Sequence, residues 1–191
     1  MASSRGSRVV TPERVAQSMT FEQYMADIGT PESLAREAGW WRGPERVDWS
    51  GPLMAWYRDL RLREDQVAAI RWLAAQPGGP ARILVISEEW SSDCRRAVPM
   101  LARLAEAGGL ELRIFRRDGA TVGRGPRADP AETPNADLMN EFLREQDGRT
   151  YQSIPVVVFY TRQLDYLHHF VERPAIYHPE RLSGAMRVPR P

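Results

Sequence analysis

The chain holds one cysteine, Cys94, and a serine three residues before it, Ser91, directly after Trp90. A thiolate is a strong nucleophile, and its supply is set by pKa and exposure. A serine hydroxyl attacks only when a neighbouring base takes its proton. With one thiol, no internal disulfide can form, and a dithiol cycle within one molecule is impossible. Glu88 and Glu89 precede the pair and are candidate bases for Ser91 or Cys94, although carboxylates at a strand end are more often solvated.

Two elements must position this pair. Ile83-Leu84-Val85-Ile86 is a continuous apolar run, as a strand buried on both faces shows. From Ser92 to Ala107, Cys94, Ala97, Val98, Leu101, Leu104 and Ala105 recur at helical steps and form one apolar stripe. Cys94 therefore faces the core one turn into a helix, and Ser91 sits at its start as an N-cap. Pro99 removes a backbone donor inside this helix and is expected to kink it. Gly108-Gly109 ends it.

Beyond the motif, Leu110–Phe115 reads as a second strand, 118–135 as a loop, and Ala136–Gln146 as a helix carrying Leu138, Met139, Phe142 and Leu143. Val156–Tyr160 and Tyr166–Val171 read as two further strands joined by a turn. From residue 80 the order is β-α-β-α-β-β, an α/β domain with a central mixed sheet flanked by helices. Residues 1–79 read as a helical extension packed on residues 80–191. Helix starts fall at Thr11-Pro12, Thr20 and Thr30-Pro31, and Phe21, Tyr24, Met25 and Ile28 share a face. The stretch from Gly39 to Tyr57 reads as loop and short helix, its Trp40, Trp41, Trp49 and Trp56 packing the extension onto the domain. Asp65–Gln76 reads as an amphipathic helix stopped by Pro77-Gly78-Gly79-Pro80. The tail from Pro174 is short and Pro-rich.

Trp90-Ser91-Ser92-Asp93-Cys94, with Pro99 five positions later, resembles the thioredoxin motif Trp-Cys-x-x-Cys and its helix proline. Ser153-Ile154-Pro155-Val156 resembles the cis-proline loop of that fold. Arg116-Arg117-Asp118 and Asp137-Leu138-Met139 resemble a bacterial thioredoxin-like subgroup. The likeness runs from about Ala81 to Pro174 and implies a thioredoxin-like fold. It implies a site of Ser91 and Cys94, with Trp90, Ser92, Asp93, Ile154 and Pro155 binding a peptide or thiol partner. The attacking position of that motif holds Ser91, so ordinary dithiol exchange is expected to be absent. Some glutathione transferases, on the same fold, hold the glutathione thiolate with a serine near this helix start. Glutathione chemistry at Ser91, or a monothiol at Cys94, is thus the alternative, and a non-catalytic partner-binding module is the third. If buried, the Cys94 thiol is raised in pKa; Asp93 disfavours its thiolate and Arg95 and Arg96 favour it.

Composition narrows the rest. All 26 basic residues are arginine, which excludes a lysine Schiff base and a P-loop lysine. The net charge of +1 gives no drive toward nucleic acid or anionic membranes. No run approaches a membrane span, and the polar first residues lack a signal-peptide core, so a cytoplasmic protein is expected. His168 and His169 are adjacent in a strand and face opposite sides, so no metal site is expected; no cofactor is implied.

Overall fold

The computed structural model describes residues 9–36, 47–120, 122–123 and 125–174. Trp40, Trp41, His178 and the tail beyond Pro174 lie outside them. Three short N-terminal helices, α1 (Pro12–Ala16), α2 (Phe21–Ile28) and α3 (Pro31–Ala35), each start on a threonine whose hydroxyl accepts a hydrogen bond from a first-turn amide. Thr20 and Gln23 complete a capping box on α2. Two longer helices follow, α4 (Ser50–Asp59) and α5 (Glu64–Ala74). Within the stretch read as loop and short helix, α4 is a full ten-residue helix. Its Gly51-Pro52 lies in the first turn, where a proline costs nothing because that N–H has no intrahelical partner.

The domain is built on a four-stranded sheet. Its strands are β1 (Arg82–Ser87), β2 (Glu111–Arg116), β5 (Val156–Tyr160) and β6 (Tyr166–Val171), in the order β2-β1-β5-β6. The β1 and β2 strands are parallel, joined through α6 (Ser92–Gly108). The two remaining pairs, β1 with β5 and β5 with β6, are antiparallel. Alternate residues of the sheet feed two separate cores. Leu84, Ile86, Val156, Val158 and Tyr160 pack with Met139 and Phe142 on one face. Ile83, Val85 and Val157 pack with Val98, Leu101 and Ala105 of α6 on the other, together with Tyr24 and Ile28 of α2. Being inside the sheet and covered on both faces, β1 is buried throughout except at Arg82.

The stripe on α6 is as the spacing predicts, with Cys94, Val98, Leu101 and Ala105 buried. The helix continues through Pro99 and ends at Gly109, whose left-handed φ of 66° suits glycine. The predicted helix over 136–146 is corrected. Helix α7 covers Ala136–Glu141, and the chain then turns back as a hairpin of β3 (Arg144–Gln146) and β4 (Arg149–Tyr151). Its two-residue turn is Asp147-Gly148, both at positive φ. A hairpin of this length needs that backbone, and Asp-Gly supplies it.

The N-terminal helices are tied to the sheet by backbone, charge and ring contacts. Met19 and Ile114 exchange both backbone hydrogen bonds, at 2.9 and 2.8 Å, along the outer edge of β2. Asp27 of α2 pairs with Arg116 of β2. The half-buried Trp49 lies 3.9 Å from the Arg95 guanidinium of α6, a close cation–π contact.

Candidate functional site

Ser91 is the N-cap of α6. Its hydroxyl accepts a hydrogen bond from the Cys94 amide at 3.4 Å, and its carbonyl accepts from Arg95 N at 3.0 Å. Arg95 reaches back and donates to the carbonyls of Glu89 and Trp90, at 3.1 and 2.8 Å, fixing the turn that leads into the helix. Beneath this turn Cys94 is 1% exposed and packs in the core with Ile154 and Trp90. Burial pushes its thiol up to about 11; hydrogen bonds from the Glu88 backbone and from Ser87 and Ser91 offset part of that, while the Glu88 charge adds to it. At neutral pH the sulfur is a thiol without access to water. At the N-cap position itself stands the half-buried Ser91 hydroxyl.

The two carboxylates ahead of the motif are not solvated, which corrects the expectation from their place at a strand end. Glu88 and Glu89 are both buried. One oxygen of Glu88 accepts the Asp118 amide at 2.8 Å, and the other pairs with Arg36 at 3.1 Å. These partners compensate the burial. Both oxygens of Glu88 are thus engaged within the fold.

Asp118 follows β2 and is fully buried. One of its oxygens accepts the Trp90 indole N–H at 3.0 Å; the other accepts Arg117 Nε at 2.7 Å and the Gly123 amide at 3.4 Å. Arg117 lies 5.0 Å from the Trp90 ring and donates through Nη1 to the Gln152 carbonyl at 2.8 Å. Arg36, at the end of α3, donates to the Asp118 and Gly119 carbonyls at 2.8 and 3.2 Å. Trp90 is thus set by a buried charged network that draws on the N-terminal helices, the loop after β2 and the segment before β5.

Above this network lies a groove of about 730 Å³. Of the expected site residues, Trp90, Ser91, Asp93 and Ile154 line it; Ser153 does so as well. Ser92 is exposed at the first turn of α6, Cys94 lies buried below, and Pro155 is buried behind Ile154 with its carbonyl bonded to Glu172 N at 2.8 Å. The Ile154–Pro155 peptide bond is cis. The far wall comes from Arg117, the β3–β4 hairpin residues Arg149 to Tyr151, and Gln152. Sequence reading did not place these in the site. Arg117-Asp118 and the Ile-Pro segment beside Gln152 were visible as signals, but the hairpin was hidden under a helix pattern. His168 stacks on Phe159 and His169 lies against Phe142, on opposite sides of β6.

Among the described residues no helix is long and apolar enough to cross a membrane. Solved structures similar to the chain include a protein of unknown function from Pseudomonas aeruginosa, at 19% identity and TM-score 0.47, covering 86% of each chain. An HIV epitope-scaffold is similar at 19% identity and TM-score 0.45, covering 82% of this chain and 79% of its own. No curated protein matches the chain. Residues 50–122 match the thioredoxin family model, a stretch that runs from α4 through the whole strand–motif–helix unit to the loop after β2. With its mixed four-stranded sheet flanked by helices, the fold is thioredoxin-like.

Proposed function

We propose that this thioredoxin-like domain has lost dithiol–disulfide exchange and uses its groove to bind a peptide or thiol-bearing partner. The observation that carries the reading is the placing of the two groups that would exchange electrons. A hydroxyl stands at the helix start, where an attacking thiolate would be stabilised, and the one cysteine is 1% exposed. The neighbouring Glu88 carboxylate is engaged by Arg36 and the Asp118 amide, so it does not serve Ser91 as a base. A monothiol cycle at Cys94 would need that sulfur to reach a partner, and its burial argues against it. The groove does not depend on the missing sulfur. Trp90, Asp93, Ser153 and Ile154 form a channel suited to an extended chain, which can pair with backbone beside Ile154.

Two measurements test this. Insulin reduction with dithiothreitol as electron source is expected to run at the uncatalysed rate; clear turnover would overturn the loss of exchange. Calorimetric titration with extended, cysteine-bearing peptides is expected to give binding that weakens on Trp90→Ala. If no such peptide binds, the groove is not a partner site.

A further inference from the structure

Asp118 joins two walls of the groove. Its carboxyl accepts the Trp90 indole N–H at 3.0 Å on one side, and Arg117 Nε at 2.7 Å and the Gly123 amide at 3.4 Å on the other. Trp90, Arg117 and Gly123 all line the groove. The backbone of Asp118 is in turn fixed at both of its polar groups. Its amide donates to Glu88 Oε1 at 2.8 Å, and its carbonyl accepts from Arg36 Nη1 at 2.8 Å. Arg36 and Glu88 are themselves paired at 3.1 Å, and Arg36 reaches on to the Gly119 carbonyl at 3.2 Å. Glu88 follows β1 and Asp118 follows β2, so both belong to the sheet. Arg36 does not. It stands one residue past α3, 52 positions before Glu88 and ahead of residues 50–122 that match the family model. Among the described residues, none that lines the groove comes from the N-terminal helices.

We infer that Arg36 is a positioning residue for the groove: it acts through Asp118 on Trp90 and makes the groove depend on the docking of the N-terminal helices. The inference rests on the peptide-binding reading of the groove. Asp118 is 0% exposed, so no water stands ready to replace the guanidinium at its carbonyl. Without Arg36 the peptide and carboxyl of Asp118 must turn to find other partners, and the indole bonded to that carboxyl moves with them. Docking is needed because α3 has five residues, too few to hold Arg36 in place alone. If Arg36 did no more than pin the end of α3, its loss would lower stability and leave Trp90 where it is.

Two measurements separate these roles. The first is calorimetric, with an acetylated and amidated heptapeptide of alternating Val and Thr and a central cysteine. Arg36→Met should weaken its binding about tenfold, because the wall is no longer pre-organised. In a Trp90→Phe background, which keeps a ring and loses the donor to Asp118, Arg36→Met should cost under about twofold. No loss, or equal losses in both backgrounds, would overturn the inference. Arg14→Met cuts another tie of the N-terminal helices, to Asn135 and Asp137, and should leave binding unchanged. A loss there as large as with Arg36→Met would also count against a path through Asp118. The second measurement needs no ligand. In proton–nitrogen correlation spectra, the Trp90 indole signal is assigned by its absence in Trp90→Phe. On Arg36→Met it should move toward the position of the exposed Trp72, and on Arg14→Met it should stay. An unmoved indole in folded Arg36→Met would overturn the inference. If that variant does not fold, Arg36→Met with Glu88→Gln replaces it, since removing both members of a buried pair costs less than removing one. If the parent protein binds no peptide, the groove reading fails, and the indole shift alone decides whether Arg36 positions Trp90.

Discussion

Replacing Ser91 with cysteine should create the reactive centre that the fold is shaped for. The new sulfur would stand at the N-cap of a seventeen-residue helix, close to Cys94. Thiols at helix N-termini fall to about 7 or below, so roughly half would be thiolate at pH 7. Cys94, held at about 11, would be thiolate in only about one part in ten thousand. The thiolate ratio favours residue 91 by between three and four powers of ten, on the order of 5,000. The more basic thiolate is the stronger nucleophile, which returns about two powers of ten. A preference of roughly fiftyfold remains, before the burial of Cys94 widens it further. Iodoacetamide labelling of Ser91→Cys at pH 7, read by peptide mapping, should therefore mark residue 91 almost alone. Mild oxidation should join the two sulfurs, and insulin reduction should rise above that of the parent protein. Equal labelling of the two cysteines, or a variant that never forms the bridge, would refute the assigned geometry.

Other outcomes follow from the same structure. The thiol reagent of Ellman should react with native Cys94 no faster than the protein unfolds or opens, and at once in urea; prompt reaction in the native state would contradict its burial. Because Cys94 is raised from about 9 to about 11 by folding, the native state holds its proton more tightly. That contribution is complete below pH 9 and is lost as the pH rises toward 11, up to about 3 kcal/mol. Urea midpoints should therefore fall more steeply over this range in the parent than in Cys94→Ala, with parallel curves counting against the shift. Arg36→Met removes one buried cation that pairs with Glu88 and should cost about 3 kcal/mol, partly recovered by adding Glu88→Gln; a loss under about 1 kcal/mol by urea unfolding would show the pair to be incidental. Gly109→Ala forces a side chain into a left-handed cap and should cost about 1 kcal/mol, seen as a Tm lower by about 2–4 °C.

The parts legible in the sequence are those governed by local rules. The apolar run 83–86, the stripe on α6 and the threonine starts of α1, α2 and α3 depend on neighbours within a turn or two, and each forms as expected. The hairpin failed for want of arbitration between two signals. Leu138, Met139 and Phe142 do bury together, and the helix pattern they make reads on to Gln146, across β3 and up to Asp147-Gly148, itself a turn signal. Glu88 was not legible at all. Its partners lie 52 residues before it and 30 after it, so nothing local marks it as buried. The same distance hid Arg117 and Gln152 from the site, since they meet only once the residue after β2 and the segment before β5 come together at one end of the sheet, across β1.

The reach of Arg36 has a consequence for how the protein is made. A ribosome releases residues in order, so α2, with four residues that end up buried, emerges well before β2 and α6, against which it packs. Arg36 must wait longer still, until residue 119 has appeared, for its last acceptor. The early helices are short, the first three having 5, 8 and 5 residues, too few to persist alone in water. Nascent chains halted anywhere before the end of β2 should leave them unstructured and open to protease or chaperone.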